Sequence, residues 1–279
     1  MIKIISDSTA YITKEYAEEN DITIIPLRYL LEDKEYEEGY PGTFDEFFKV
    51  FTSKKIFPKT SQPSIQLFID EYNKAIDAGN DVIVFTISGT MSGTNNTANL
   101  AKAQCKDPSK IYVFDSQSLA QTIFGFVMEA VNMRKEGKTA PEIMEHLEKC
   151  IPNSAITFVP DSLEYIEKGG RIGRLTAKIG SLLQIKPIVT FTKGILSDKK
   201  VIGFKKAVNE MLASIPKTIK RIFILHIAHS PLFEKFKLTV LDFLKKRPDN
   251  GKFEIYEGEL GPVVSTHAGP SVGFAWTSV

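Results

Sequence analysis

The sequence predicts an α/β fold with two domains, the first built on a mainly parallel sheet and the second on a mixed sheet. Apolar runs of strand length alternate with longer amphipathic segments, which is typical of parallel strands joined by helices. A chain of 279 residues is long for one domain and comfortable for two. Pro152-Asn153 breaks the alternation near its middle. We therefore expect residues 1–152 and 153–279 to form separate domains.

The first domain starts with a strand and keeps the alternation to its end. The strand-like runs are Ile2 to Ile5, Ile22 to Ile25, Val82 to Ile87 and Ile111 to Phe114. The helices are predicted to open at Thr43-Phe-Asp-Glu46, Pro63-Ser64, Asn96, Ser118 and Thr139-Ala-Pro-Glu142. The first and last openings have the pattern of a capping box, in which Thr and Glu side chains satisfy backbone N–H groups of the first turn.

The second domain is predicted to contain a mixed sheet. Its strands are expected at Ala155 to Val159, Pro187 to Phe191, Ile195 to Ile202, Arg221 to Ile227, Phe253 to Tyr256 and Val272 to Trp276. Its helices are expected at Asp161 to Lys168, Arg174 to Leu183, Phe204 to Ile215 and Pro231 to Lys246. The turn Thr192-Lys-Gly194 joins two strand-like runs, which indicates a hairpin and hence antiparallel pairing.

Polar residues follow three predicted strands of the first domain. Asp7-Ser8, Ser88 to Thr94 and Asp115-Ser116 each come directly after an apolar run. In open parallel sheets, ligands bind outside the carboxyl ends of the strands. The topology therefore predicts that these three segments cluster at one edge of the sheet.

Composition excludes several function classes. The chain has 35 Lys plus Arg against 34 Asp plus Glu, which argues against nucleic acid as the main partner. Cys105 and Cys150 are 45 positions apart with no histidine at ligand spacing, so we expect reduced thiols and no structural metal. The N-terminus lacks a signal-peptide core and no run reaches about 18 apolar residues. We expect a cytoplasmic protein with no stable membrane insertion.

The run Gly261-Pro-Val-Val-Ser-Thr-His-Ala-Gly-Pro270 isolates His267 in a frame of glycines and prolines. Such a frame stiffens the backbone and lets it approach a ligand closely. The alternative interpretation is that the run only turns the chain between two strands.

Three further segments combine small hydroxyl residues, glycine and one arginine. Thr60-Ser-Gln-Pro-Ser64, Ile87 to Thr94 and Leu163 to Gly173, which contains Arg171, all lie at predicted strand or helix ends. Hydroxyls and free backbone N–H groups at such ends can surround an anion. Together with His267 they predict a carboxylate or phosphate site.

With these motifs in this order, the chain resembles the DegV family of bacterial fatty-acid-binding proteins. The matching residues span the chain from 6 to 273 and are Ser6-Asp-Ser8, Thr60-Ser-Gln-Pro63, Ser88 to Thr94, Phe114-Asp-Ser116, Leu163 to Gly173, Leu182 to Ile188 and Gly261 to Pro270. Members of the family usually carry glycine where this chain has Ser271. That difference is expected to stiffen or narrow one edge of the site.

The resemblance implies an α/β/α first domain, a smaller mixed-sheet second domain, and a long-chain fatty acid bound at their junction. It implies no cofactor and no chemistry of the chain's own, and it implies a separate ATP-dependent fatty-acid kinase that phosphorylates the bound acid. The family's carboxylate-binding residues map onto Thr60, Ser61, Ser92, Arg171 and His267. Backbone N–H groups beside Gly93 are expected to complete the set.

Other interpretations of the same residues remain open at this point. Thr60 and Ser61 could begin a helix capped at Ser64, and Ser92 could be a turn residue. Arg171 could pair with Glu164 or Glu167 one or two helical turns earlier.

A hydrolase or transferase that uses Ser92 and His267, with Asp115 as a third member, is the alternative function. Gly89-Thr-Met-Ser-Gly93 has one residue too many to be a Gly-x-Ser-x-Gly nucleophile turn. The apolar pocket cannot be located by motif. Its candidate lining residues are the leucines and isoleucines of Ile179 to Ile188, with Phe158, Phe204, Phe223, Phe274 and Trp276.

Overall fold

The computed structural model describes residues 1–54, 56–162, 164–170 and 185–278. Its strands are β1 (Ile2–Asp7), β2 (Ile22–Ile25), β3 (Arg28–Leu31), β4 (Lys34–Glu37), β5 (Lys59–Ser61), β6 (Asp81–Thr86), β7 (Ile111–Asp115), β8 (Ala155–Pro160), β9 (Ile185–Thr192), β10 (Ile195–Ile202), β11 (Arg221–Ile227), β12 (Glu254–Leu260) and β13 (Ser271–Thr277). Its α-helices are α1 (Lys14–Glu19), α2 (Asp45–Lys54), α3 (Ile65–Asp77), α4 (Thr94–Gln104), α5 (Gln121–Lys135), α6 (Ala140–Cys150), α7 (Glu164–Lys168), α8 (Phe204–Ala213), α9 (Phe233–Lys245) and α10 (Pro262–Ala268).

The first half of the chain contains a parallel four-stranded sheet in the order β2-β1-β6-β7. Side chains alternate between the two faces of each strand, so Ile4 and Ile83 join one core cluster while Ile5 and Val84 join another. Helix α5 shares the first cluster, whereas α3 and α4 share the second. The predicted α/β/α layering with a parallel sheet is confirmed.

A second, three-stranded sheet in the order β4-β3-β5 was not predicted. Its strands are short, antiparallel and largely exposed, so they lack the apolar alternation that marks a half-buried strand. Thr60 lies on β5 and pairs with Tyr29 of β3. This pairing places Thr60 and Ser61 on a strand rather than at the start of a helix.

The second half contains a six-stranded sheet in the order β10-β9-β8-β13-β11-β12. Only β11 and β12 are paired in parallel among its described strands, so the predicted mixed sheet is confirmed. The predicted hairpin joins β9 to β10. Lys193 and Gly194 both have positive φ, 52° and 71°, which suits a two-residue turn whose twist matches the strands.

The two halves share a continuous core. Helices α8 and α9 cover one face of the six-stranded sheet, with Phe236 and Phe274 stacked at 6.2 Å. The other face packs against α5, where the rings of Phe124 and Phe223 lie 5.9 Å apart. A division of the chain into domains at residue 152 therefore stays a prediction.

The predicted capping box at Thr139 and Glu142 forms, whereas two other local predictions differ from the structure. The capping box predicted at Thr43 does not form, because the Thr43 hydroxyl donates to the Tyr40 carbonyl at 2.7 Å. Residues 262–268, predicted in one interpretation to be a turn, form helix α10, and Pro262 at its first position is compatible with a helix start. The predicted helix from Arg174 to Leu183 lies outside the described residues.

Candidate functional site

A cavity of about 590 Å³ lies between the loops of the parallel sheet, one face of the six-stranded sheet, strand β5 and helix α10. This volume falls within the range of about 300–1,000 Å³ that is usual for small-ligand sites. Its described lining residues are Leu27, Thr60, Ser61, Gln62, Ile87, Gly89, Thr90, Met91, Ser92, Gly93, Leu119, Phe158, Ile166, Val189, Leu196, Val263, Val264, His267 and Ala268. The cavity therefore draws on both halves of the chain.

Most of the cavity wall is apolar. Its aliphatic and aromatic members come from the parallel sheet's loops, from the face of the six-stranded sheet and from helices α7 and α10. Phe158 was among the predicted lining candidates and does line the cavity. Phe204, Phe223, Phe274 and Trp276 belong instead to the packed cores. An apolar wall of this kind suits a hydrocarbon ligand.

One polar side of the cavity is formed by Thr60 and His267. Thr60 Oγ1 and His267 Nε2 are hydrogen-bonded at 2.9 Å, although the residues are 207 positions apart. Thr60 is held by the β3–β5 pairing, and His267 lies in the last turn of α10. Gly169 packs against the histidine so closely that a Cβ at position 169 would lie 2.7 Å from His267 Nδ1. Strand, helix and glycine together fix the imidazole at the cavity.

The loop after β6 supplies Ser92 and Gly93 to the same cavity. Ser92 is a turn residue, because its N–H donates to the Ser88 carbonyl at 3.2 Å, and its Oγ is hydrogen-bonded to Thr94 Oγ1 at 2.9 Å. A Cβ on Gly93 would lie 1.9 Å from Gln62 Oε1, so only glycine allows this contact. Helix α4 begins directly afterwards, and N–H groups of its first turn have no carbonyl within the helix to bind.

Asp7 and Asp115, the last residues of β1 and β7, hold the loops around the cavity and are not among its described lining residues. Asp7 Oδ2 accepts the Ile87 N–H at 2.7 Å, and Asp115 Oδ1 accepts the Gly89 N–H at 3.2 Å. Burial raises the pKa of the Asp7 carboxyl to about 6, although hydrogen bonds from Thr9 and Ile87 partly offset this effect. The predicted clustering at the strand ends is confirmed, and these carboxylates act through the loops they hold.

A buried carboxylate that was not predicted from the sequence, that of Glu38, contacts the first turn of α10. Glu38 is 3% exposed. Its Oε2 accepts the Ser8 hydroxyl at 2.7 Å, while its Oε1 accepts the Val263 N–H at 2.8 Å and the Tyr11 hydroxyl at 3.2 Å. Burial raises the pKa of Glu38 to about 7, and the nearby Asp7 adds a smaller effect in the same direction. Only the tertiary structure distinguishes Glu38 from its exposed neighbours Glu35 and Glu37.

Two further predictions concern Arg171 and Ser271. Arg171 is outside the described residues. Ser271 is buried, and its hydroxyl hydrogen-bonds to the carbonyls of Ala268 at 3.2 Å and Gly269 at 3.0 Å. These bonds brace the chain where α10 ends, close to the cavity residue Ala268.

Among the described residues, the predicted nucleophile Ser92 and the predicted base His267 are not in contact. Ser92 Oγ is bonded to Thr94 and His267 Nε2 to Thr60, and no hydrogen bond joins Ser92 to His267. Asp115 accepts backbone N–H groups of the strand-end loops. The described geometry suits binding of an anion better than attack by a serine.

One group in the described residues has the spacing of metal ligands. His229 Nε2 lies 3.7 Å from Asp45 Oδ1 and 3.6 Å from Glu259 Oε1. None of the three lines the cavity. No helix among the described residues has the length and apolar character to cross a bilayer.

Comparison with known proteins gives a consistent result. The family model for an uncharacterised protein of the DegV family matches residues 1–279. A DegV domain-containing protein of Clostridium acetobutylicum is 33% identical over 280 residues, which cover 97% of this chain and 96% of the relative.

Solved structures agree with this match. A DegV lipid binding protein from Thermotoga maritima is 30% identical with a TM-score of 0.83, over 99% of this chain and 97% of that chain. A stearic acid-binding protein from Eubacterium ventriosum is 27% identical with a TM-score of 0.86, over 100% and 98% of the two chains. Since the family model covers the whole sequence and the fold agrees, the protein belongs to the DegV family.

Proposed function

We propose that this protein binds a long-chain fatty acid, with the acyl chain in the 590 Å³ cavity and the carboxylate at its polar side. The observation that carries the proposal is the composition of the cavity wall, which is apolar over most of its area and polar around Thr60 and His267. Each buried methylene contributes about 0.8 kcal/mol, so a chain of roughly fourteen methylenes would contribute on the order of 11 kcal/mol before ordering costs. The tail supplies most of the affinity.

The carboxylate needs hydrogen-bond donors, since an enclosed and unpaired charge would cancel several kcal/mol of that gain. In this proposal, the donors are the hydroxyls of Thr60, Ser61 and Ser92, the N–H groups beside Gly93 and the imidazole of His267. The resemblance adds Arg171. These groups set the position of the head group and the specificity for an acid.

The bound acid is proposed to be the substrate of a separate ATP-dependent fatty-acid kinase, to which this protein presents the carboxylate. The sequence carries no Walker loop and no Gly-x-Gly-x-x-Gly, so ATP is expected to come with the partner. Lys205 and Lys206 at the start of α8 are exposed, but α8 covers the face of the six-stranded sheet opposite the cavity, so their charge would attract an acidic partner only at long range. In this proposal the chain is a carrier and performs no chemistry itself.

Two experiments test these proposals separately. Denaturing extraction of protein expressed in bacteria, followed by mass spectrometry, should recover a fatty acid at about one per chain. Absence of any fatty acid, combined with no binding of added palmitate or oleate, would refute the binding proposal.

Loaded protein mixed with ATP and magnesium should form acyl-phosphate only when a cognate kinase is added. Acyl-phosphate without the kinase would overturn the carrier role, and none with the kinase would overturn the proposed partner.

The alternative of a hydrolase or transferase using Ser92 and His267 is tested by turnover of ester substrates. We expect none above the rate of a Ser92→Ala variant. Serine-dependent turnover would favour the alternative.

A further inference from the structure

Helix α10 lacks a capping residue of its own. Its N-cap is Gly261, which has no side chain to accept the free N–H groups of the first turn. A side chain at this position is excluded by packing, because a Cβ on Gly261 would lie 2.7 Å from the rings of Phe44 and Tyr11. The capping function must therefore come from elsewhere in the chain.

Glu38 and Tyr11 fill this role from the first half of the chain. Glu38 Oε1 accepts the Val263 N–H at 2.8 Å, and the Tyr11 hydroxyl oxygen accepts the Val264 N–H at 3.1 Å. The two side chains are linked, because the Tyr11 hydroxyl donates to Glu38 Oε1 at 3.2 Å. Residues 225 and 253 positions away in sequence thus do what an N-cap side chain normally does.

The capped helix is also the one that carries His267. At about 1.5 Å per residue, the seven residues of α10 span about 10 Å, so a movement at one end of this short helix is transmitted to the other end. Val263 and Val264 at the capped end line the cavity, as do His267 and Ala268 at the other end. A displacement at the cap would therefore move the wall of the cavity and the imidazole together.

Glu38 and Tyr11 do not line the cavity in the described structure, so they would act through α10 rather than by touching a ligand. We propose that Glu38 and Tyr11 are positioning residues that cap α10 across the two halves of the chain and thereby hold His267 in register with Thr60 for a bound carboxylate. The ligand role rests on the proposed function; the positioning of His267 does not.

The hydrogen bonds that cap α10 are expected to depend on pH, because Glu38 is titratable. A hydrogen bond from an N–H to a carboxylate is stronger than one to a neutral carboxyl. The charge of Glu38 is met by hydrogen bonds from Ser8, Tyr11 and Val263. Asp7 and Tyr29 are the other titratable groups whose charge couples to it. Because burial raises the pKa of Glu38 to about 7, its protonation near neutral pH weakens the cap and loosens His267.

The test measures fatty-acid dissociation and the His267 environment in Glu38→Gln and Tyr11→Phe. At pH 8 we expect both variants to release palmitate faster, by at most about fivefold, the limit reached if the whole net contribution of one hydrogen bond is lost from the loaded state alone. The ratio of the release rate at pH 6 to that at pH 8 should be larger in wild type than in Glu38→Gln, because effects of Asp7 are common to both proteins.

Two variants control for general destabilisation. Tyr72→Phe removes another buried hydroxyl, which donates to the Ala98 carbonyl at 3.3 Å, and Glu129→Gln neutralises another largely buried carboxylate. Both should leave the dissociation rate and its pH profile as in wild type. Equal acceleration in the controls, or unchanged dissociation in Glu38→Gln and Tyr11→Phe, would overturn the positioning role.

A second readout works without ligand. The chain has four histidines, so imidazole NMR signals can be assigned by single Asn variants. In unliganded protein, Glu38→Gln and Tyr11→Phe should shift the His267 signal and its titration while leaving His146 unchanged. Identical His267 signals would overturn the proposal even if the protein bound no fatty acid, and failure of wild type to bind palmitate would count against the proposed function alone.

Discussion

Thr60→Val replaces a hydroxyl by a methyl group of nearly the same shape and removes one hydrogen-bonding group from the polar side of the cavity. Thr60 Oγ1 is bonded to His267 Nε2 at 2.9 Å, and β5 holds the residue through its pairing with β3. Valine is a good strand residue, so the small sheet should form normally. The change therefore separates the chemistry of the hydroxyl from the fold around it.

The expected loss has two parts. The hydrogen bond between Thr60 and His267 contributes about 0.5–1.5 kcal/mol net, and a bond to the ligand carboxylate contributes about 1.5–3 kcal/mol. Only the bond to the ligand carboxylate changes the affinity, because the Thr60–His267 bond is already present in the protein without ligand. Fatty-acid affinity should fall about tenfold to somewhat over a hundredfold, because about 1.4 kcal/mol corresponds to a factor of ten.

Fluorescent fatty-acid displacement on delipidated protein measures this loss, and thermal melts of the same samples report stability. Thr192→Val is a matched control: it is also a half-buried strand threonine with one hydrogen bond, to the Ser154 carbonyl at 3.0 Å, and it does not line the cavity. The control should bind like wild type. Wild-type affinity in Thr60→Val, or an equal loss in Thr192→Val, would refute the placement of the carboxylate at Thr60.

Three further predictions follow from the described geometry. His267→Ala should lower fatty-acid affinity by about one to two orders of magnitude while the unliganded melting temperature changes little; a large fall in melting temperature without a ligand effect would show a structural role. Gly93→Ala should destabilise the protein by no more than about 1 kcal/mol in denaturant titration, because its Cβ would displace only the end of the flexible Gln62 side chain and break its hydrogen bond to Thr97 Oγ1, and a loss of several kcal/mol would contradict this reasoning. The stability of the unliganded protein should fall as pH rises from about 4.5 to 7, because Asp7 and Glu38 hold their protons more tightly when folded, with pKa values of about 6 and 7 against ordinary values of 3.8 and 4.5. Glu38→Gln should reduce this loss, which is on the order of 3 kcal/mol for one such group, and equal slopes in pH-dependent melts would contradict the assignment.

The sequence predicted the regular elements and several loop positions well, because their patterns are local. The β9–β10 hairpin follows from Lys193-Gly194, and the capping box at Thr139 follows from spacing alone. The convergence of the loops after β1, β6 and β7 follows from parallel topology. These features needed no knowledge of distant contacts.

The remaining features depend on tertiary contacts that no local pattern records. The small sheet is polar and exposed, so the sequence leaves open a helix start at Thr60 and Ser61. Helix α10 begins with Gly261-Pro262 and is capped by residues from the other half of the chain, so the sequence leaves open a turn at this place. Glu38 follows the exposed acidic residues Glu35 and Glu37 in sequence, and its burial involves tertiary contacts with Ser8, Tyr11 and α10.

Candidate site residues fall between these cases. Thr60, Ser92 and His267 were singled out as polar residues at element ends, and the structure places all three at one cavity. The wall of that cavity was not predictable beyond Phe158, because apolar lining and apolar core have the same residue types.

A crystal structure of the protein purified with its ligand, or soaked with palmitate after delipidation, would locate the acyl chain and its carboxylate. We expect continuous density for an acyl chain along Phe158, Val189 and Leu196, with the carboxylate within hydrogen-bond distance of Thr60 Oγ1. An empty cavity at saturating palmitate, or a head group at the end away from Thr60 and His267, would contradict this expectation.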